Sequence, residues 1–208
     1  MPTTKLERVA RNKRGFDIAV SSVLIVLTLP LMVVALPIVA MSSPGPLLYR
    51  QQRVGLGGRP FDILKFRTMR PASPGGTRSI TVGGDSRITP GGQFLRHWKI
   101  DELPQLFNVL LGEMSLVGPR PEVPEYVAHI PAADRAAIQS VRPGVTDLAS
   151  IKYRHEAELL GQADDPERYY IDVILKEKAR LGAEYANRHS LAGDIVIIFK
   201  TALRIFSA

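Results

Sequence analysis

Phe16-Asp17-Ile18-Ala19-Val20-Ser21-Ser22-Val23-Leu24-Ile25-Val26-Leu27-Thr28-Leu29-Pro30-Leu31-Met32-Val33-Val34-Ala35-Leu36-Pro37-Ile38-Val39-Ala40-Met41 is the longest apolar stretch in the chain, and its only formal charge is Asp17. At roughly 26 residues it is long enough to cross a bilayer. It does not read as a cleaved signal: the run is too long, and Pro44-Gly45-Pro46 follows where a small-residue cleavage site belongs. A buried core helix is the alternative, but such uniform hydrophobicity favours a membrane. Asp17 lies within helical reach of Lys13 and Arg14 one turn back.

The prolines decide how the segment inserts. Pro30 lies in the middle of the run and Pro37 two turns later, and each removes a helix hydrogen bond and bends the axis. The half from Phe16 to Leu29 is about 14 residues, or ~21 Å of helix, short of a ~30 Å hydrocarbon core. Both flanks are basic: Lys5, Arg8, Arg11, Lys13 and Arg14 before the run, and Arg50, Arg53 and Arg59 after it. Positive charge stays on the cytoplasmic side. A straight span strands one basic flank outside. A helix broken at Pro30 that enters and leaves the same leaflet keeps both inside, and that re-entrant reading is preferred. Ser21 and Ser22 are positioned to satisfy freed backbone groups.

The remaining sequence, residues 47–208, is expected to fold as one α/β domain, mostly α with a small sheet, appended to an N-terminal anchor at residues 1–46. The chain of 208 residues has no cysteine, which excludes disulfides and thiolate metal sites. Its 27 Lys+Arg against 20 Asp+Glu give a formal charge of +7, suited to anionic lipid, phosphorylated substrates or nucleic acid. Aromatics are only 7%, with no zinc-finger spacing or RNA-recognition aromatic signature, so no nucleic-acid partner is expected.

Leu47 to Arg53 and Phe61 to Met69 read as two strands joined by Gly55-Leu56-Gly57-Gly58, a hairpin turn rather than a phosphate loop. Residues 71–92 are rich in Pro, Gly, Ser and Thr and read as a surface loop, a lid or plain disorder. Trp98 is either core or interfacial. Short helices are expected near Pro124–His129 and Pro131–Val141, and a longer one from Asp165-Pro166-Glu167 to about Arg188. Ile195 to Phe206 reads as an amphipathic helix on the membrane or a core helix with a charged edge.

The chemistry concentrates in Asp101-Glu102-Leu103-Pro104-Gln105-Leu106-Phe107-Asn108 and Gly118-Pro119-Arg120-Pro121. Pro104 suits a first helical turn, and Gly112 is placed to end the helix. A helix start favours anions, so Asp101 and Glu102 can be held there ionised beside a phosphate or a metal. Arg120, stiffened between prolines, and Arg142 in Arg142-Pro143-Gly144-Val145-Thr146 are candidate phosphate clamps. Lys65, Arg67 and Arg96 are further candidates. The plain alternative is that Asp101 caps a helix, Arg120 sits in a turn, and the other cations are solvated.

Taken together, Lys13-Arg14-x-x-Asp17, the proline-broken helix, Lys65-Phe66-Arg67-Thr68-Met69, Asp101-Glu102-Leu103-Pro104-Gln105, Gly118-Pro119-Arg120-Pro121 and Arg142-Pro143-Gly144-Val145-Thr146 resemble the small monotopic phosphoglycosyl transferases, bacterial sugar transferases that begin glycan assembly. The resemblance runs from Lys13 to Asp194. It implies a monotopic enzyme of the bacterial inner (cytoplasmic) membrane, its catalytic domain on the cytoplasmic face and held by a re-entrant helix. Such an enzyme moves a sugar 1-phosphate from a UDP-sugar to polyprenyl phosphate, commonly undecaprenyl phosphate, and releases UMP. It also implies Asp101 as nucleophile, Glu102 as a catalytic partner, and Mg2+ as cofactor, held by Asp101 and Glu102.

Three departures bear on what carries over. Leu29-Pro30 stands where many members have Ser-Pro, so Thr28 or Ser22 is left to supply the local hydrogen bond. Asp147-Leu148-Ala149-Ser150 replaces a Gly-Leu/Trp-Ala-Gln pattern, which leaves the donor sugar open, and Gly182 stands where many members place an acidic or amide residue, so a polar contact there does not carry over. The rival class is a non-enzymatic, membrane-anchored basic module that binds nucleotide, nucleic acid or anionic lipid. Its weakness is the Asp101-Glu102 pair, since carboxylates repel a phosphate ligand unless chemistry or a metal needs them.

Overall fold

The computed structural model describes residues 5–70 and 80–206, with side chains over 11–70 and 80–204. Residues 71–79 of the expected surface loop lie outside the described residues, as do the side chains of Lys5 and Arg8. Helix α1, Lys5–Ser42, runs through both Pro30 and Pro37. The Thr28 hydroxyl donates to the Leu24 carbonyl at 2.7 Å and Ser42 to Ile38 at 2.6 Å, back-bonds that commonly accompany bent helices. Ser21 does the same to Ile18 at 3.2 Å.

One stripe of α1 is covered by protein. Asp17, Ser21, Met32, Ala35 and Val39 are buried, with Phe16, Val20, Leu24, Ile25 and Leu36 partly so. The opposite stripe is apolar and open: Val26 is 71% exposed, Leu27 69% and Met41 87%. A helix hydrophobic all round but covered on one side presents the rest to something other than water.

Strand β1, Leu48–Val54, and β2, Pro60–Phe66, form the expected antiparallel hairpin with Gln51 opposite Ile63. A single turn at Leu56–Gly58 joins them, with Gly57 and Gly58 at φ of 65° and 73°, where a side chain is disfavoured. The second strand ends three residues before the expected Met69. Thr89 caps helix α2, Pro90–His97, by accepting from the Gly92 amide at 3.0 Å. A 3-10 turn, Ile100–Glu102, leads to helix α3, Gln105–Leu111, which Gly112 closes in the left-handed region.

Strand β3, Ser115–Val117, then pairs in parallel with β4, Gly144–Thr146, across helices α4, Pro124–Val127, and α5, Ala132–Gln139. The pairing brings the backbones of Gly118 and Gly144 together: a Cβ on Gly118 would lie 2.4 Å from the Arg142 carbonyl. Only glycine allows that approach, so the two proline-glycine motifs form one substructure. Helices α6, Leu148–Lys152, α7, Glu156–Gly161, and α8, Pro166–Tyr169, follow, the first and last capped by Asp147 and Asp165. A π-helical turn, Tyr170–Leu175, connects α8 to α9, Lys176–Arg188, and α10, Leu191–Phe206, ends the described chain. The long helix expected from Asp165 is thus interrupted by a wide turn rather than regular.

The charged start of α1 is used differently from expectation. Asp17 does not pair with Lys13 or Arg14; its Oδ1 accepts from the Leu116 amide at 3.2 Å. Lys13 reaches Asp194 on α10 at 2.5 Å, and Arg14 donates to the Val109 and Leu110 carbonyls at the end of α3. Tyr185 of α9 places its hydroxyl 2.7 Å from Asp194 Oδ1 and 2.9 Å from the Val117 carbonyl. Asp194 is fully buried and Lys13 nearly so. Removing one member of such a pair strands the other. Asp194→Ala is therefore expected to cost about 3 kcal/mol, and Asp194→Asn, which keeps the Tyr185 contact, distinctly less. Thermal unfolding of the detergent-solubilised protein measures both.

Candidate active site

The site is built where α2 turns into α3. Lys99 takes a left-handed conformation, φ 56° and ψ 20°, which reverses the chain after α2. Ile100 then buries against Met32, Ala35 and Val39 of α1, together with Phe66 and Leu95. That apolar anchor drives Asp101 inward, where it is 5% exposed. Asp101 Oδ1 is buried and has no hydrogen-bond partner. One turn on, Gln105 is wholly buried with neither amide atom partnered, while Asn108 beyond it bonds Leu64, Asp62 and Glu113. Unpartnered buried polar groups are costly, and they collect at sites that receive ligands.

Glu102 stands beside Asp101 and is gripped by two cations. Its Oε1 accepts from Lys65 at 2.9 Å and from Arg120 at 2.6 Å. Lys65 comes from β2. Arg120 comes from the Gly118–Pro121 turn, where its amide donates to Asp147 at 3.1 Å. Burial works to raise Glu102, but Arg120 and Lys65 outweigh it and hold the carboxyl well below the usual range. Asp101 moves the other way: burial, then the neighbouring Glu102 charge, push it up to about 6, against the pull of Lys65, Lys99 and Arg96. Burial lowers Lys65, opposed by Glu102. Two adjacent carboxyls are thus driven apart, one ionised and locked to cations, the other poised near neutrality with a free oxygen.

Of the residues expected at the site, the structure brings together Asp101, Glu102, Lys65 and Arg120, with Arg96 near enough to act electrostatically on Asp101. Arg96 itself contacts Thr81 and Met69. Two more of the expected residues make their contacts elsewhere. Arg67 is buried and used up by backbone: its guanidinium donates to the Pro46, Ser43 and Val39 carbonyls and to Ser43 Oγ, where α1 ends. Those carbonyls are helix-end acceptors that need a donor, and Arg67 is the nearest. Arg142 donates to the Gly112 carbonyl at 2.8 Å. Gly112 closes α3 at the end opposite the carboxyls, roughly 10 Å of helix away.

Sequence reasoning missed Lys99, Asp147 and Gln105. Lys99 acts on both carboxyls; a lysine directly before an acidic pair carries no signal that it will adopt a positive φ. Asp147 holds both the Arg120 amide and the Ser150 amide, at 3.1 and 2.6 Å. An aspartate three residues before a serine is a signal for the cap, but nothing in the sequence signals its second partner, the Arg120 amide. Trp98, 42% exposed, is not core.

The fold and site define a class: one mostly helical body built along a lipid-compatible helix, with a carboxylate pair set among cations. Comparison with known proteins narrows it. Residues 8–208 match the model of the bacterial sugar transferase family, and the chain belongs to that family. It is 39% identical over 206 residues to a UDP-glucose:undecaprenyl-phosphate glucose-1-phosphate transferase of Caulobacter vibrioides, covering 96% of this chain and 72% of that one. It is 38% identical to a UDP-N-acetylgalactosamine-undecaprenyl-phosphate N-acetylgalactosaminephosphotransferase of Aeromonas hydrophila, over 94% of this chain but 44% of the relative. Identity to the exopolysaccharide production protein ExoY of Sinorhizobium fredii is 32%, over 91% and 83% of the two chains. Several relatives are far longer than the part this chain matches, which spans 35–44% of their length.

The opposed shifts of the two carboxyls give a direct test. Carboxyl-carbon NMR is expected to show Asp101 titrating near pH 6. Lys99→Gly, which suits the positive φ and removes a cation, should move that midpoint upward, because Lys99 favours the ionised form. An unmoved midpoint would count against the arrangement.

Proposed function

We propose that this protein is a phosphoglycosyl transferase that moves a sugar 1-phosphate from a UDP-sugar to a polyprenyl phosphate, such as undecaprenyl phosphate, in assembly of a membrane-bound glycan. The observation that carries the reading is the buried, unpartnered oxygen of Asp101 beside a Glu102 already neutralised by Lys65 and Arg120. A basic binding module has no use for a desolvated carboxylate aimed at nothing. The names of relatives support the donor and acceptor classes.

The chemistry proceeds in two displacements at one phosphorus. An Asp101 carboxylate oxygen attacks the sugar-bearing phosphorus, and the bond to the bridging oxygen breaks. UMP leaves with the electron pair, and an aspartyl phosphosugar remains. A phosphate oxygen of the lipid then attacks the same phosphorus and the Asp101 carboxylate departs, giving a polyprenyl diphosphate sugar. Anion meets anion in both steps, so charge must be neutralised. Arg120 and Lys65, positioned by Glu102, supply fixed positive charge, and Lys99 and Arg96 add to it at Asp101. Ionised Asp101 is the reactive form, so turnover should fall as pH drops through about 6.

Magnesium is the expected cofactor at the same residues, with Asp101 Oδ1 unpartnered and Glu102 holding one oxygen on Lys65 and Arg120. Among the described residues no group of three or more His, Cys, Asp or Glu converges, so Asp101 and Glu102 alone among the protein's acidic groups at the site would hold the ion. When bound, it supplies further neutralisation of the diphosphate.

The same reading makes the protein monotopic, with α1 entering and leaving one leaflet of the inner membrane and the catalytic body on the cytoplasmic face. Support comes from where α1 is held. Its start is tied to α10, α3 and β3 through Lys13, Arg14 and Asp17, and its end to Arg67 and α2. A helix crossing a bilayer cannot be tied at both ends to a single body on one side. Exposed Phe94, Trp98, Phe107, Ile195, Phe199 and Leu203 on α2, α3 and α10 suit a body resting on lipid.

Asp101→Asn is expected to abolish UMP release and the radiolabel trapped on wild-type protein from a UDP-sugar labelled in its sugar. Full activity in that variant excludes the covalent route. For topology, a thiol probe that cannot cross the membrane should reach Asn12→Cys and Arg59→Cys from the same side; opposite sides would mean a spanning helix.

A further inference from the structure

An open, shallow cleft adjoins the carboxylate pair on the far side of Arg120. Arg120 reaches Glu102 on one side and lines the cleft on the other. Ile138 of α5 and Leu175 and Ala179 of the π-turn and α9 form apolar walls, and Gly55 of the hairpin turn is part of its lip. The carboxylates facing the cleft are engaged: Asp147 by the Arg120 and Ser150 amides, Glu122 by the Tyr170 hydroxyl at 2.8 Å and by Arg53. Lys178 is paired with Glu156.

Two polar side chains lining the cleft stand apart. Arg135 and Gln139 lie one turn apart on α5, so they share a face, and neither side chain has a hydrogen-bond or ion partner among the described residues. Gln139 packs beside Gly58, where a glycine leaves room for its amide. Both are half-buried rather than solvated.

We propose that this cleft is the nucleotide subsite of the donor, with Gln139 reading the uracil edge and Arg135 binding the nucleotide's phosphate or ribose. The inference rests on the transferase reading above. In-line displacement at the sugar-bearing phosphorus places the leaving phosphate opposite Asp101. A leaving phosphate held at Arg120 carries its nucleoside into the cleft. A carboxamide offers one donor and one acceptor, matching the N3–H and carbonyl of uracil. Apolar walls accept a flat ring, whereas a hexose would call for several free polar groups, and among the described residues only two are present. Selection for the nucleotide therefore sits on α5, separate from the groups that hold the reacting phosphate.

The test uses UMP as probe on the full chain in detergent, with binding by calorimetry read separately from turnover. Arg135→Ala and Gln139→Ala are each expected to weaken UMP about tenfold and to raise the KM for UDP-sugar to match, the loss of one charged or bidentate contact. The KM for polyprenyl phosphate should stay put, and so should the thermal unfolding midpoint, since both side chains are half-exposed on a short helix. UMP affinity unchanged in both variants, or a loss confined to the lipid acceptor, overturns the subsite. A wild-type chain that binds UMP but releases none from any UDP-sugar sinks the transfer reading instead, and leaves the cleft to be judged by the two variants' UMP affinities.

Discussion

The structure hangs on the buried ionic contact between Lys13 and Asp194. Lys13 precedes the apolar run of the long helix and Asp194 lies in the first turn of the last one, 181 residues later. Through the Tyr185 hydroxyl the same carboxylate reaches β3, and β3 in turn donates to Asp17 of the apolar helix. The ring of contacts closes α1, α9, α10 and β3 around one desolvated charge pair. Such a pair contributes little net stability compared with an apolar substitute. Its value lies in register: a uniformly greasy helix can slide along an apolar groove, but it cannot slide past a charge that has one partner.

Register matters because the site is hung from the same helix. Ile100 packs on Met32, Ala35 and Val39, and Asp101 follows directly. A shift of α1 by one turn, ~5.4 Å, would move the floor beneath the carboxylate pair out of place. Arg67 performs the matching task at the far end of α1 by satisfying its last carbonyls. Membrane attachment and active-site geometry are in this sense one mechanical problem, and a helix held at both ends by the catalytic body solves it.

Electrostatics at the site follows from the same economy of placement. Glu102 pairs with two cations that would otherwise repel each other, and so holds Lys65 and Arg120 side by side next to Asp101. Asp101, kept dry and next to a negative neighbour, stays proton-hungry for a carboxylate. The pair is divided: one carboxylate is paired with two cations and the other keeps an unpartnered oxygen.

Local signals in the sequence determined a good deal. The apolar run, the hairpin with its glycine turn, the helix start at Asp165, and Gly112 as a helix stop are short-range chemistry, readable wherever they occur. The nearness of Asp101, Glu102, Lys65 and Arg120 was also legible, through a known family pattern rather than through spacing. What only the tertiary structure decided is which partner each long cation takes. Arg67 and Arg142 resemble phosphate ligands in one dimension, yet each satisfies the end of a helix. Lys13, Arg14 and Asp17 resemble an intrahelical cluster, yet each reaches a different element. Arginine and lysine side chains are long and find whichever buried acceptor lies within reach, and which acceptor that is depends on how distant elements pack, a relation that no stretch of sequence contains.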